Sequence, residues 1–261
     1  MTDPRSVPDP DLATRSEPMQ IMAPIVDLCR QPDGARDRQL LFGERVTVLH
    51  HDAEWRLIRA QKDGYCGFVQ AKSLTACRDA THQVTARSTH VYLEGDLKSP
   101  EQLCLSFGSQ LSAISETPTF IETLEGFVPR QHVHRLSDKA GNPIDVARLF
   151  MGVPYLWGGN SAWGIDCSGL VQAALLACGT PCPGDSDQQL QSLGRTVAPG
   201  ASYEPGDLLF WTGHVALVID EHTIIHANAG HMAVAIENID AAISRISAQG
   251  DGPVTGHKRL D

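Results

Sequence analysis

One cysteine and two downstream histidines are the residues of this chain that could carry out covalent chemistry. Cys167 follows a glycine-rich stretch at 155–165 and precedes the apolar residues Leu170 and Val171. We therefore expect it in the first turn of a helix whose N-cap is Asp166. The helix dipole and the free N–H groups at such a position favour the thiolate, which is the nucleophilic form of cysteine. The pattern predicts a nucleophile, and the alternative is a small buried structural cysteine.

The histidines supply the candidates for a general base and its orienting group. A cysteine hydrolase needs a base beside the thiol and a third group that orients this base. His214 begins a predicted strand at 214–219, and His226 lies in the next one, at 223–227. A hairpin turn at 220–222 would place the two imidazoles directly or diagonally across the ladder. We predict His214 as base and His226 as a neutral orienter with no carboxylate behind it. A satisfied core histidine is the alternative for each.

Neighbouring residues suggest where a substrate would lie. His214 shares a strand face with Ala216 and Val218, and these small side chains are expected to leave room for a substrate. The backbone N–H of Cys167 is one predicted oxyanion donor, and Tyr155 is the candidate for the second. Three tryptophans could either line a substrate groove or pack in the core, and the sequence does not favour one location over the other: Trp157, Trp163 and Trp211.

Composition excludes several classes of function. The net charge of −10, with no run of lysine and arginine, argues against nucleic acid or anionic membrane as a partner. No apolar window is long enough for a membrane span, and the N-terminus lacks the apolar core of a secretory signal. An odd number of cysteines predicts free thiols, so we expect a cytoplasmic protein. No metal or organic cofactor is predicted, because phosphate-loop and zinc-helix motifs are lacking and Cys178 and Cys182 have no matching pair.

The chain divides by composition into four segments. Residues 1–17 are rich in proline, aspartate and serine and are predicted to form a disordered lead. Residues 18–78 and 79–136 each contain short alternating runs broken by glycine and aspartate, which predicts two small antiparallel barrels in tandem. Residues 137–261 begin with helices and continue with a meander of strands, which predicts an α+β domain.

The chemistry-bearing segments resemble the NlpC-type, papain-like cell-wall cysteine peptidases. Five segments occur in the order found in that family: PYLWGG at 154–159, DCSGLV at 166–171, PGDLLF at 205–210, GHVALVI at 213–219 and IHA at 225–227. The resemblance implies a papain-like α+β catalytic domain. It also implies a catalytic triad of Cys167, His214 and His226.

The two upstream barrels resemble the bacterial SH3-like modules of one branch of this family. That branch comprises γ-D-glutamyl-L-diamino acid endopeptidases acting on murein peptides with a free N-terminal L-Ala. The resemblance implies that Tyr65 and Glu44 meet the substrate amine, and that Asp166, Ser168 and Ser186 line the dipeptide pocket. A barrel aromatic at a strand end is the alternative for Tyr65. A solvated turn carboxylate is the alternative for Glu44.

These inferences predict a cytoplasmic enzyme of murein peptide recycling. Its substrate would be L-Ala-γ-D-Glu-diaminopimelate, cleaved after the D-Glu, with no nucleic-acid or membrane partner. The preference among diamino acids and the oligomeric state stay open. One alternative is an amidase or acyltransferase on the same scaffold. The other is a non-catalytic cell-wall-binding protein in which the barrels carry the function.

Overall fold

The structure, a computed structural model, describes residues 3–260 and divides into two compact units, one ending at Asp138 and one beginning at Lys139. Both predicted barrels fall within the first unit. The predicted α+β domain corresponds to the second. Among the described helices, none combines the length and the apolar character that crossing a bilayer requires.

The first half of the first unit is one antiparallel sheet. Its strands are β1 (Glu17–Ile21), β2 (Ile25–Cys29), β3 (Arg36–Leu41), β4 (Arg45–Asp52), β5 (Trp55–Ala60), β6 (Cys66–Gln70) and β7 (Leu74–Ala76), in the spatial order β3-β2-β6-β5-β4-β1-β7. Alternate residues turn inward, as period-2 patterning requires. Ile21, Val46, Val48 and Ile58 are among those that form its apolar core.

The second half of this unit has its own sheets and core. Its strands are β8 (His82–Val84), β9 (Ser88–Tyr92), β10 (Glu101–Ser106), β11 (Gln110–Leu111), β12 (Ala113–Glu116), β13 (Phe120–Thr123), β14 (Gly126–Pro129) and β15 (Val133–Arg135). They form a five-stranded sheet, β10-β9-β14-β13-β12, and a three-stranded sheet, β11-β8-β15. Val91, Leu105, Ile121 and Val128 pack together here, joined by Phe42 from the first half.

The segment ahead of β1 is bonded to the first sheet. The Cys66 amide donates to the carbonyl of Arg5 at 2.7 Å, and the Arg15 amide donates to the carbonyl of Leu49 at 3.0 Å. The prediction of a disordered lead is therefore wrong for residues 3–16, because backbone hydrogen bonds order a segment that has few apolar side chains. Met1 and Thr2, which the prediction also covered, lie outside the described residues.

The second unit places helices around a six-stranded antiparallel sheet. In chain order its elements are α1 (Pro143–Arg148), β16 (Asn160–Ser161), β17 (Gly164–Ile165), α2 (Cys167–Ala177), α3 (Ser186–Ser192), β18 (Arg195–Thr196), β19 (Leu208–Trp211), β20 (His214–Val218), β21 (Thr223–Asn228), β22 (Ala233–Asn238), α4 (Ile239–Gln249) and β23 (Gly256–Arg259). The sheet order is β18-β23-β19-β20-β21-β22. Helix α2 packs against β20 and β21, and α4 packs against β22.

Helix α4 overturns one expectation about the substrate region. Ala216 and Val218 are fully buried and form a core cluster with Ile239, Ala242 and Ile246 of α4. The small side chains that share a strand face with His214 therefore make space for a helix and leave none for a substrate. Only the end of this face, at His214 itself, remains partly accessible.

Candidate active site

The nucleophile candidate lies where the sequence places it, at the first residue of α2. Cys167 is 5% exposed, and its Sγ lies 3.9 Å from the carbonyl oxygen of Gly213. Gly213 has a φ of +72°, a backbone conformation that favours glycine, and it leads directly into His214 at the start of β20. The turn at Gly213 thus brings the start of the histidine strand beside the thiol.

Asp166 organises the backbone around the thiol. Its carboxylate accepts hydrogen bonds from the Gly169 amide at 2.6 Å, the Gly158 amide at 2.9 Å and the Ser168 hydroxyl at 2.9 Å. The bond from Gly169 confirms Asp166 as the N-cap of α2. The helix also approaches the preceding loop closely, since a Cβ on Gly169 would lie 2.6 Å from the Gly159 carbonyl oxygen. Packing against the loop therefore requires glycine at position 169, in the first turn of α2.

The two histidines meet diagonally across the β20–β21 ladder. Leu217 pairs with Ile225 in this ladder, so His226 stands two residues away from the position directly opposite His214. His214 Nε2 and His226 Nδ1 lie 2.9 Å apart, within hydrogen-bond distance. His226 is completely buried, whereas His214 is only partly so. With Nε2 engaged, Nδ1 is the ring nitrogen of His214 left for the thiol.

A carboxylate stands behind the second histidine, contrary to the expectation that none would. His226 Nε2 lies 3.1 Å from Glu237 Oε2. Arg245 of α4 donates to both oxygens of Glu237, from Nη2 at 2.7 Å and from Nε at 3.0 Å. Sequence reasoning named neither Glu237 nor Arg245. The signal was the asparagine cap at 238 followed by apolar residues at helical spacing, which marks α4 and hence the position of Arg245.

Burial keeps both imidazoles neutral at ordinary pH. It lowers the pKa of His214 to about 3, with further lowering by His226 and Arg245 and an opposing effect of Glu237. Burial lowers the pKa of His226 to about 4, and the Glu237 carboxylate opposes it. A neutral His214 has the free lone pair that a general base needs.

These lowered pKa values predict that acid destabilises the fold. A histidine in the unfolded chain titrates near pH 6.5. Below that pH the unfolded chain therefore binds protons that the two folded histidines do not bind. Stability is therefore expected to fall as the pH drops from 7 towards 4, with His226 contributing about 2 kcal/mol at pH 5. Urea unfolding at pH 7.5 and pH 5.0 measures the difference. It should shrink in His226→Gln and persist in His222→Gln, whose histidine is exposed. Equal losses in all three proteins would contradict the assignment.

Three other predicted pocket residues lie in the second unit. The Tyr155 amide donates to the Met232 carbonyl at 2.9 Å. Burial, followed by the nearby Cys167 and Asp166, raises the pKa of the Tyr155 phenol, so this hydroxyl stays protonated and can donate. Ser168 is buried and bonded to Asp166. Ser186 is partly buried at the first residue of α3.

The remaining two pocket candidates lie in the first unit. Glu44 is 7% exposed and pairs with Lys62 through Oε1 at 2.7 Å. Its other oxygen, Oε2, is buried and has no hydrogen-bond partner among the described residues. The alternative of a solvated turn carboxylate is therefore wrong. Tyr65 is 4% exposed and packs in the apolar core of the first sheet.

The three tryptophans have different environments. Trp211 is 3% exposed, and its ring centroid lies 5.6 Å from that of His214. It is a core residue that packs against the candidate base. Trp157 and Trp163 are 68% and 44% exposed, so the alternative of core packing is wrong for both.

Comparison with known proteins identifies two domains. The model described as the NlpC/P60 family matches residues 152–247. The model described as the bacterial dipeptidyl-peptidase Sh3 domain matches residues 28–74. The first match includes Cys167, His214, His226 and Glu237. The second includes Glu44 and Tyr65.

Relatives extend the likeness over most of the chain. Dipeptidyl-peptidase 6 of Lysinibacillus sphaericus is 27% identical over 247 residues, which cover 84% of this chain and 91% of that protein. The gamma-D-glutamyl-L-lysine dipeptidyl-peptidase of Bacillus subtilis (strain 168) is 27% identical over 216 residues, covering 77% of this chain and 72% of that protein. The crystal structure of an NlpC/P60 family protein from Bacillus cereus ATCC 10987 shares the fold, with a TM-score of 0.78 and 21% identity over 94% of this chain and 99% of that chain. The protein is a cysteine peptidase with an NlpC/P60 domain at residues 152–247 and a bacterial dipeptidyl-peptidase Sh3 domain ahead of it, at residues 28–74.

Proposed function

We propose that this protein hydrolyses the bond between γ-D-Glu and the diamino acid in murein peptides with a free N-terminal L-Ala, releasing L-Ala-γ-D-Glu. The observation that carries the proposal is the arrangement of Cys167 at a helix N-terminus beside the hydrogen-bonded pair His214 and His226. The name of the Bacillus subtilis relative, a gamma-D-glutamyl-L-lysine dipeptidyl-peptidase, supports the same type of bond.

Cys167 carries the chemistry through an acyl-enzyme. Its thiol proton moves to Nδ1 of His214 while Sγ attacks the γ-carbonyl carbon of D-Glu. The C–N bond then breaks, and the departing amine takes the proton from His214. A water molecule gives a proton to His214 and attacks the thioester, and the acid product and the thiol are released. His226 orients His214 throughout by the hydrogen bond to Nε2.

The oxyanion of each tetrahedral intermediate needs donors near the nucleophile. The Cys167 backbone N–H at the start of α2 is one, because the first amides of a helix have no intrahelical acceptor. The Tyr155 hydroxyl is the second in this proposal, supported by the raised pKa that keeps it protonated. Asp166, Ser168 and Ser186 form the dipeptide pocket in this proposal. The hydrogen bonds that the Asp166 carboxylate accepts from the Ser168 hydroxyl and the Gly158 amide fix the positions of Asp166 and Ser168.

Glu44 and Tyr65 bind the substrate ammonium in this proposal. The support is the buried Oε2 of Glu44, which has no hydrogen-bond partner within residues 3–260. A buried acceptor of this kind gains a charge-assisted bond from an ammonium and loses it when the amine is acetylated. The Tyr65 hydroxyl would supply a second polar contact from the same domain.

Glu44→Gln is expected to raise KM for L-Ala-γ-D-Glu-meso-diaminopimelate on the order of 10- to 100-fold, because a bond to a charged group is lost. KM for the N-acetylated peptide, which is expected to be a poor substrate already, should change little. The ratio of kcat/KM for the free-amine peptide to that for the acetylated peptide should therefore fall towards one. Glu54→Gln alters an exposed carboxylate of the same unit and is the control. Lys62→Gln tests whether the ion pair with Glu44 alone explains the effect. A ratio that Glu44→Gln leaves unchanged would contradict the role of this residue.

Two further features belong to the proposal. We infer that residues 79–136 form a second SH3-like barrel, supported by their own sheets and their own apolar core. We also infer a role in cytoplasmic recycling of murein peptides. The free state of all seven cysteines supports it, since a reducing compartment keeps thiols free.

The test of the function is an incubation of the purified protein with the diaminopimelate and L-lysine forms of L-Ala-γ-D-Glu-diamino acid peptides, each also N-acetylated. Mass spectrometry of the products is expected to show L-Ala-γ-D-Glu from the free amines. Equal cleavage of the free and N-acetylated peptides would support the peptidase activity but contradict the proposed binding site for the substrate ammonium. Cleavage of none would favour an amidase or acyltransferase on this scaffold, and retention on sacculi without turnover would favour a wall-binding protein.

A further inference from the structure

A line of polar groups begins at His214, which directly follows the Gly213 carbonyl that faces the thiol, and leads to a carboxylate fixed by an arginine. His214 contacts His226, and His226 contacts Glu237. Arg245 donates hydrogen bonds to both carboxylate oxygens of Glu237. Arg245 in turn donates to the side chain of Gln249 at 2.9 Å, one turn along α4. The Glu237 side chain is only 13% exposed, so this is a largely buried array.

We propose that Glu237, held by Arg245, is a positioning residue that sets the tautomers of His226 and His214 and so leaves Nδ1 of His214 unprotonated. The inference rests on the proposed peptidase function and deepens it, since Glu237 would act on the base and not on the substrate.

The argument follows from the proton inventory of each group. An ionised carboxylate only accepts hydrogen bonds, so Nε2 of His226 must carry the proton that faces Glu237. Nδ1 of a neutral His226 is then an acceptor, so Nε2 of His214 must carry the proton between the two rings. The lone pair of a neutral His214 is thereby left on Nδ1. Each step allows one tautomer, and the carboxylate determines the direction of the whole array.

Arg245 keeps the carboxylate ionised. Its hydrogen bonds lower the pKa of Glu237, outweighing the effect of burial. Glu237 is therefore an acceptor over the whole range in which a cysteine peptidase would work. When His214 takes the thiol proton, the positive charge is stabilised by His226 and, beyond it, by the Glu237 carboxylate. No proton has to leave His226 in this scheme.

Two charges of opposite sign thus act on one histidine pair. Glu237 raises the pKa values of His214 and His226, and Arg245 lowers them. His231 also lowers the pKa of His226. Removing the anion should therefore displace the pH profile to lower pH, and removing the cation should displace it to higher pH. The direction is the same whichever limb His214 governs.

The first experiment uses the wild-type protein. Nitrogen-15 NMR of labelled histidines distinguishes the two neutral tautomers, with His226→Gln and His222→Gln spectra for assignment. The expected result is a proton on Nε2 of both His214 and His226 at pH 7.5. A proton on Nδ1 of His226 would overturn the proposal outright.

The second experiment compares Glu237→Ala, Glu237→Gln and Arg245→Gln, with Asp240→Asn as the control at an exposed carboxylate of α4. Glu237→Ala is expected to lower kcat on the order of 10- to 100-fold with little change in KM. Glu237→Gln keeps an acceptor oxygen for His226 and should restore part of kcat. The pH profile of activity should shift to lower pH for both Glu237 variants and to higher pH for Arg245→Gln.

Alkylation of Cys167 by iodoacetamide, followed by mass spectrometry of its peptide, gives the same pH profile without any peptide substrate. The profile therefore tests Glu237 even if the protein proves inactive on murein peptides, in which case only the proposed substrate fails. Shifts of opposite sign for the Glu237 and Arg245 variants support the proposal. A purely structural ion pair predicts pH profiles that do not shift, or that shift in the same direction for the Glu237 and Arg245 variants. Either result would overturn the proposal. If Glu237→Ala does not fold, Arg245→Gln and the tautomer spectrum decide.

Discussion

Cys167→Ala is expected to lower kcat by at least about 10⁴-fold, because the covalent route is lost with the sulfur. The substitution removes one atom from a buried side chain, and the cap that Asp166 provides to α2 does not depend on it. Binding of the intact tripeptide should therefore survive. Product formation by mass spectrometry and peptide binding by calorimetry measure the two effects separately.

The other thiols provide the control for this result. Burial raises the pKa of four of them, Cys29, Cys66, Cys104 and Cys178. A raised thiol pKa means little thiolate at neutral pH and hence a poor nucleophile. Cys178→Ser, at a partly exposed position, is the matched variant and should keep full turnover. Cleavage of the tripeptide that persists in Cys167→Ala would end the thiol mechanism.

The features predicted well from the sequence are those set by local interactions. Asp166 caps α2 because its side chain reaches an amide three residues ahead, a contact that residue type and spacing reveal. The strands that carry His214 and His226 begin at the predicted residues because the hydrophobic runs and the intervening turn mark them. The diagonal contact of the two imidazoles follows from that hairpin.

Features that depend on long-range register were missed. Glu237 reaches His226 because β22 pairs with β21 so that Ile224 stands opposite Glu237, and single-sequence patterns do not give this register. Arg245 reaches Glu237 only because α4 folds back over the sheet. The same helix covers Ala216 and Val218, which is why these small side chains leave no space for a substrate.

Composition misled in two places, both in the first unit. Residues 3–16 have few large apolar groups, yet two backbone hydrogen bonds join them to the sheet. Composition does not reveal such bonds, because every residue offers a carbonyl acceptor and every residue except proline offers an N–H donor. The residues around Glu44 have the composition of a surface turn. Its carboxylate is nevertheless buried, because a lysine 18 residues later in the sequence supplies a counter-ion. Burial of a charge depends on its partner, and that partner is visible only in the folded chain.

His226→Ala is expected to lower kcat on the order of 10⁴-fold with little change in KM, comparable to the loss of the orienting residue in other triads. Two hydrogen bonds disappear together, one to His214 Nε2 and one to Glu237 Oε2. His214 would then be free to rotate and to adopt either tautomer, so only a small fraction of the molecules would present a lone pair to Cys167. His214 Nε2 would lose its partner, and Glu237 Oε2 would keep only the hydrogen bond from Arg245, which costs stability.

An orienting role and a purely structural one differ in what restores activity. His226→Asn offers an amide oxygen to His214 Nε2 but nothing to Glu237 at the same distance, so it should recover part of kcat without recovering the melting temperature. His222→Ala, at an exposed turn of the same hairpin, is the control and should leave both unchanged. If kcat and melting temperature fall and recover in parallel across these variants, His226 acts through the fold alone. If kcat recovers while the melting temperature does not, the bond to His214 is what catalysis requires.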